Sequence, residues 1–244
     1  MESWRVFSDP EAVAEAIAFQ WQERAGQAEK EGRIFSVVLS GGSTASRIYR
    51  RLAEQDYVDR IPWHVVHFFW ADERCVPPEN EESNYGNCRR FLLDHLTIPG
   101  ENIHRIRGEE DPVAESACYE REIQDHMRLR KNRDDFFDWV FLGVGSDGHT
   151  ASLFPGQDSL ISEKLCEKVR HPQSDQIRIT LTPVALKKSN RITYHVIGLG
   201  KAGIVSDLIS GSAGKDSYPA AQVPGEWYLD RKAASSINLD SIDS

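Results

Sequence analysis

His149 stands in the stretch DWVFLGVGSDGHTASLFPG, residues 138–156, where an apolar run ends in glycines and an Asp-Gly-His follows. An imidazole is the side chain best suited to moving protons near neutral pH. Asp147, two residues earlier, can hold one ring nitrogen and leave the other free as a base. A solvated loop histidine, or one satisfied structurally, would have the same neighbours, so the chemical reading needs support from elsewhere. Three further stretches offer groups for an anion. In SGGST, residues 40–44, Gly41 and Gly42 permit a sharp turn and close approach of backbone. The free N–H groups of a following helix, with the hydroxyls of Ser43 and Thr44, would suit a phosphate. A plain strand-to-helix turn would use the same residues, and the lysine of a P-loop is missing. In ADERC, residues 71–75, Asp72, Glu73 and Arg74 follow an apolar run. They are either a solvated loop or site residues, and Arg74 is the better type for two-pronged phosphate contact. In GLGKAG, residues 198–203, Lys201 stands where a helix begins, an unfavourable place for a cation unless an anion shares that end. The joint reading is a phosphorylated small molecule whose far end is processed by His149.

The elements that would position these groups follow from periodicity. Ser8 or Asp9 caps an N-terminal helix with Pro10 in its first turn and Val13, Ile17 and Trp21 on one face, ended by Gly32. IFSVVLS (34–40) is short, apolar and β-branched, as a strand buried on both faces should be, and a helix with Ala45, Ile48, Tyr49 and Leu52 follows. HVVHFFW (64–70) is a second strand, ADERCVPPEN a loop, and Ser83 caps a helix carrying Tyr85, Cys88, Leu92 and Leu96. A charged helix over about 111–133 leads to the strand WVFLGVG; IRITLT and RITYHVIGLG are further strands, and KAGIVSDLIS a helix. Strands alternating with helices predict an α/β fold, a mostly parallel sheet with helices on both faces. SGSAGKDS (210–217) reads as a flexible loop and the residues from about 233 to 244 as a frayed tail, with one domain over 1–244.

GVGSDG (143–148) and GLGKAG (198–203) both match G-x-G-x-x-G. A dinucleotide site needs a strand before that pattern, a helix after it and an acidic residue at the end of the next strand. Pro155 comes too soon after the first copy, and no convincing β–α–β unit follows the second, so nicotinamide or flavin binding is disfavoured. What the two copies share is a place at a strand end, the edge where open parallel sheets bind ligands.

Composition narrows the field. Of 244 residues, 40% are hydrophobic, enough for a sizeable core, and the formal charge is −9, which argues against nucleic acid or anionic membrane as a partner. An anionic ligand would therefore need a local basic pocket against a repulsive background. The longest run without a charged residue, 34–46, is too short to span a bilayer, and the N-terminus shows no secretion signal. Cys75, Cys88, Cys118 and Cys166 are widely spaced with no C-x-x-C pair, as expected of reduced thiols in a cytoplasmic protein.

SGGST, ADER with SNYG (83–86), GVGSDGHTASLFPG, RITLT, GLGKA and YPAAQV (218–223), in that order over about 37–230, resemble the 6-phosphogluconolactonase family. The long DGHTASLFP stretch is the specific part. The wider superfamily includes glucosamine-6-phosphate deaminases, the alternative reading. Those typically carry Asp-Glu-Tyr where this chain has Asp72-Glu73-Arg74, and a glutamate soon after the DGH, whereas here none occurs before Glu163. The chain departs from the lactonase pattern at Thr180–Pro183, one residue shorter than the usual TLTLP. The resemblance implies a Rossmann-like three-layer α/β/α sandwich, no cofactor and no metal. It implies Arg74, Arg178 and Lys201 as phosphate ligands and His149 as the base that activates water on 6-phospho-D-glucono-1,5-lactone, a step of the oxidative pentose phosphate pathway. Asp147 is the candidate for orienting the imidazole, with Asp72 as the alternative, and a monomer is expected, with a dimer as the alternative. A sugar-phosphate sensor of the same fold would bind the product without hydrolysing the lactone.

Overall fold

A computed structural model describes residues 3–130, 133–211 and 217–237. Six strands form one parallel sheet: β1 (Ser3–Phe7), β2 (Phe35–Leu39), β3 (Val66–Trp70), β5 (Trp139–Leu142), β8 (Ile192–Val196) and β9 (Glu226–Asp230), in the order β1-β9-β8-β5-β2-β3. Every residue of β2, β5 and β8 is buried, which is why these strands read as unbroken apolar runs rather than alternating ones. The sheet is covered on both faces. Helix α1 (Pro10–Lys30) inserts Trp21 among Phe35, Phe68, Trp139 and Phe141 on one face. Helix α5 (Pro112–Leu129) packs Tyr119 and His126 against Phe69 on the other. This is the expected α/β/α layering. Asp9 caps α1 by accepting from the Ala12 N–H, and Ser83 caps α4 (Asn84–Phe91) by accepting from the Gly86 N–H, both as the sequence suggests. No helix of the described residues is long and apolar enough to cross a membrane.

Four features differ from expectation. SWRVF is an edge strand, β1, paired to β9; its half-exposed, charged pattern gave no strand signal. ADER is not a loop. Asp72–Arg74 is strand β4, which joins β7 (Ile177–Leu181) and β6 (Cys166–Arg170) in a small antiparallel sheet of order β4-β7-β6. Ala71 joins the two sheets, donating to Leu39 O and accepting from the Leu181 N–H. The second glycine pattern does lie in a β–α–β unit, since α7 (Ala202–Ser210) leads to β9, parallel beside β8. Its acidic residue, Asp230, is nevertheless buried, with Oδ1 accepting from the N–H groups of Gly198 and Ala233. Finally, Ala233 and Ala234 are buried, so the C-terminal segment is folded at least that far; residues 238–244, and 212–216 of the expected flexible loop, lie outside the described residues.

Candidate active site

From β2 the chain steps outward to β3, and from β5 it steps the other way to β8 and β9. The strand order reverses between β2 and β5, which opens a crevice at their carboxyl ends. There a cleft of about 220 Å³ is bounded by Ser40–Gly42 after β2, Gly143–Gly145 after β5, and the side chains of His149, Arg74, Arg178 and Lys201.

The loop after β5 shapes the base. Gly145 N–H donates to His149 O and Gly148 N–H to Gly145 O, folding the loop back on itself. A Cβ on Gly145 would collide with the His149 ring, and Gly148 sits at φ +79° against Tyr218, so neither tolerates a side chain. Asp147 Oδ1 lies 2.6 Å from His149 Nδ1 and fixes that nitrogen as the donor. The other, Nε2, makes no hydrogen bond among the described residues, and the ring is 28% exposed, packed on Phe154. Burial works against the Asp147 carboxylate, but the charge and hydrogen bonds of His149 hold it below the usual range.

The small sheet carries the cations. Its register places Arg74 directly opposite Arg178. Like charges facing each other across a strand pair destabilise a sheet unless something negative comes between them. Burial, and then Arg74, push Arg178 below the ordinary arginine range. The Arg178 side chain is steered by Gln176 (3.0 Å) and approaches Ser152 Oγ (3.4 Å), while Arg74 Nη1 rests on Glu82 O at 2.5 Å. Neither guanidinium has a carboxylate partner among the described residues. From the opposite side Lys201, at the N-cap of α7 as expected, donates among the described residues only to Val144 O (2.8 Å); burial lowers its pKa, partly offset by Asp147.

A buried polar scaffold holds this together. Asp72 accepts from Ser152 Oγ (2.7 Å) and Asn84 Nδ2 (3.3 Å), tying β4 to the His149 loop and to α4. Glu73, facing the other way, accepts from the backbone of Arg74, Asn84 and Tyr85 and from Ser83 Oγ. Asn84 presses so closely on Gly41 that a Cβ there would overlap its amide.

Of the residues singled out in sequence, His149, Asp72, Arg74, Arg178, Lys201, Gly41 and Gly42 come together around this cleft, with Asp147 directly behind His149. Ser43 and Thr44 do not line it: they form the first turn of α2 (Ser43–Leu52), and only the glycine turn before them reaches the cleft. Asp72 does not touch His149, its carboxylate being used by Ser152 and Asn84. Asn84, Ser152 and Glu73 were missed as scaffold. SNYG pointed to the first, but nothing local shows that Ser152 is buried against β4 and β7 or that Glu73 turns inward under the start of α4. A larger recess of about 640 Å³ beside β6, where Lys168 and Arg170 stand, has no histidine in its lining.

A family model described as glucosamine-6-phosphate isomerases/6-phosphogluconolactonase matches residues 8–229. The chain belongs to this family. It is 44% identical over 206 residues to the 6-phosphogluconolactonase of Aggregatibacter actinomycetemcomitans, covering 82% of this chain and 87% of that one. It is also 44% identical over 202 residues to the 6-phosphogluconolactonase of Haemophilus influenzae, covering 81% and 85%. The solved structure of 6-phosphogluconolactonase from Thermotoga maritima matches with a TM-score of 0.80 at 26% identity, covering 94% of this chain and all of that one. The family's own description spans two chemistries, so the site has to separate them. Glu163, the first glutamate after the DGH, is exposed and does not line the cleft, which leaves a deaminase without the acid its motif would supply.

Proposed function

We propose that this enzyme hydrolyses 6-phospho-D-glucono-1,5-lactone to 6-phosphogluconate, with His149 as general base. The observation that carries the reading is the convergence on one cleft of an imidazole with one nitrogen held and one open, and of two arginines set face to face without a carboxylate between them. Arg74, Arg178 and Lys201 grip the phosphate, and the Gly41–Gly42 turn lets substrate approach the backbone. Grip at one end fixes the lactone carbonyl over His149 at the other, so binding energy remote from the reacting bond is spent on orientation.

His149 Nε2 takes a proton from water as the water oxygen bonds to C1. The resulting tetrahedral alkoxide collapses, the bond from C1 to the ring oxygen breaks, and the imidazolium returns its proton to that oxygen. Asp147 keeps the ring in the tautomer that leaves Nε2 unprotonated and stabilises the transient cation. The chain would act in the cytoplasm as a single domain, in the oxidative pentose phosphate pathway; its four free cysteines suit a reducing compartment.

The test is acid release from freshly made 6-phosphogluconolactone against the unphosphorylated lactone. Strong preference for the phosphorylated ester is expected. Equal rates would remove the arginine grip from the proposal, and ammonia release from glucosamine 6-phosphate would replace it with the deaminase reading.

A further inference from the structure

On the face of the sheet that packs against α5, far along β3 from its catalytic end, three imidazoles meet. His67 on β3, His104 just after the short turn at Gly100–Asn102, and His126 on α5 each present a ring nitrogen, and these atoms all lie within 4.8 Å of one another. We propose that His67, His104 and His126 hold a divalent transition cation, Zn²⁺ or a close relative, in a structural site separate from the catalytic cleft.

Two observations beyond proximity point this way. His126 is 3% exposed, yet neither of its ring nitrogens has a hydrogen-bond partner among the described residues. A buried polar group left unpaired is costly, and a cation among the three rings would supply the missing partner. His104 has the arrangement of a metal ligand backed by a carboxylate: Nδ1 lies 2.7 Å from Glu122 Oε1, which fixes that nitrogen as the donor and turns the Nε2 lone pair toward His67 Nδ1, 2.9 Å away. Without metal, His67 fills that lone pair with its own N–H. With metal, His67 shifts its proton to its other nitrogen, and no net proton has to leave. Zn–N bonds of about 2.0–2.1 Å in a tetrahedron put ligand nitrogens roughly 3.4 Å apart, within reach of small ring movements from the present positions.

Access is provided by a cleft of about 480 Å³ that runs past His104 and His126, with Glu122 and Asp125 on its walls and Arg121 as the opposing charge. It shares no residue with the catalytic cleft. Water from it would take the fourth position. All-imidazole ligation suits Zn²⁺, Co²⁺, Ni²⁺ or Cu²⁺ rather than Mg²⁺ or Ca²⁺, which prefer oxygen. The consequence is a clamp joining β3, the 103–104 segment and α5, added to the packing of Phe69 on His104 and His126 and to the hydrogen bonds from the His104 N–H to Phe68 O and between Tyr119 Oη and the Trp70 backbone.

The experiment is titration of chelator-treated protein with Co²⁺, read by its visible absorption, and with Zn²⁺, read by calorimetry and thermal unfolding. Wild type is expected to bind one equivalent with the bands of a four-coordinate, nitrogen-rich site and to unfold at higher temperature with Zn²⁺. His126→Phe, which keeps an aromatic ring beside Phe69, should lose at least about 100-fold in affinity, and Glu122→Gln about 10–100-fold, because that carboxylate orients His104. His149→Ala should bind as wild type does. Lactone hydrolysis by His126→Phe should be unchanged by metal. The proposal is overturned if wild type shows no saturable binding at millimolar metal. It is equally overturned if Glu122→Gln binds as tightly as wild type, a comparison that stands even should His126→Phe fail to fold.

Discussion

Asp138 and Asp147 flank the same strand, β5, and only one of them is saturated. Asp138, 3% exposed, accepts from Arg33, Arg130 and Arg133 and from the Ser36 N–H, which binds β5 to β2 at the end remote from the cleft. Asp147, beyond the other end, has His149 alone among the described residues, and His149 in turn leaves a nitrogen open. Both carboxylates are held below their usual range against the pull of burial, Asp138 chiefly by Arg130 and Asp147 by its contact with His149. The difference lies in closure. Charges that complete one another hold the fold, whereas charges left incomplete on a shared cleft, here His149 and the Arg74–Arg178 pair, are available to a substrate.

That contrast can be broken by mutation. His149→Ala should lower kcat by about 10²–10⁴, the usual worth of a general base, with KM and thermal stability little changed; steady-state kinetics near wild-type kcat would remove His149 as the base. Asp138→Ala should do the reverse. Stranding three arginines, one of them buried, costs about 3–5 kcal/mol of stability, to be read by denaturant unfolding, while kcat of the folded fraction stays near wild type. Arg178→Ala should act between these, raising KM for the phosphorylated lactone about 10–100-fold, as loss of a charge-assisted contact worth ~1.5–3 kcal/mol implies, and leaving the unphosphorylated lactone unaffected. Asp147→Asn should cost roughly tenfold in kcat, comparable to one hydrogen bond to a charged group. A fall in KM without loss of kcat would show that Asp147 faces the substrate instead of the base.

The same idea of closure explains what could be read from sequence. The apolar runs of β2, β5 and β8 carry their burial in their composition, and capping residues such as Asp9 and Ser83 announce helices within a few positions. His149 and Asp147 were legible because the pair is local, two residues apart on one loop. The arginine pair was half legible: Arg74 stood out as a residue type, but Arg178 had only the family resemblance to recommend it, and their opposition depends on a register between strands a hundred residues apart. The part played by Asp72 depends likewise on Ser152, eighty residues away. Edge strand β1 failed to register because a short, half-exposed, charged strand lacks both alternation and apolar length, and β4 because its three residues are all charged although Asp72 and Glu73 are buried.

Glu73 offers the smallest expected effect on turnover and the finest test of the contrast, since it lies beneath the arginine pair yet points away from the cleft. Burial pushes its carboxyl up to about 7, although the backbone donors of Tyr85, Asn84 and Arg74 pull it down. In the window from about 4.5, where an ordinary glutamate titrates, up to about 7, the native state therefore holds a proton that the unfolded chain has lost. Its contribution to stability is complete below that window and is lost as pH rises through it, at no more than about 1.4 kcal/mol per pH unit. Glu73→Gln stays neutral throughout, so its unfolding free energy should decline less steeply than that of wild type between pH 5 and 7 and run parallel to it above. Turnover at neutral pH should hardly move, because neither Arg74 nor Arg178 uses Glu73 as a side-chain partner. An unchanged slope would mean that the four donors around Glu73 keep it ionised in the folded protein, which would make it a closed charge of the Asp138 kind.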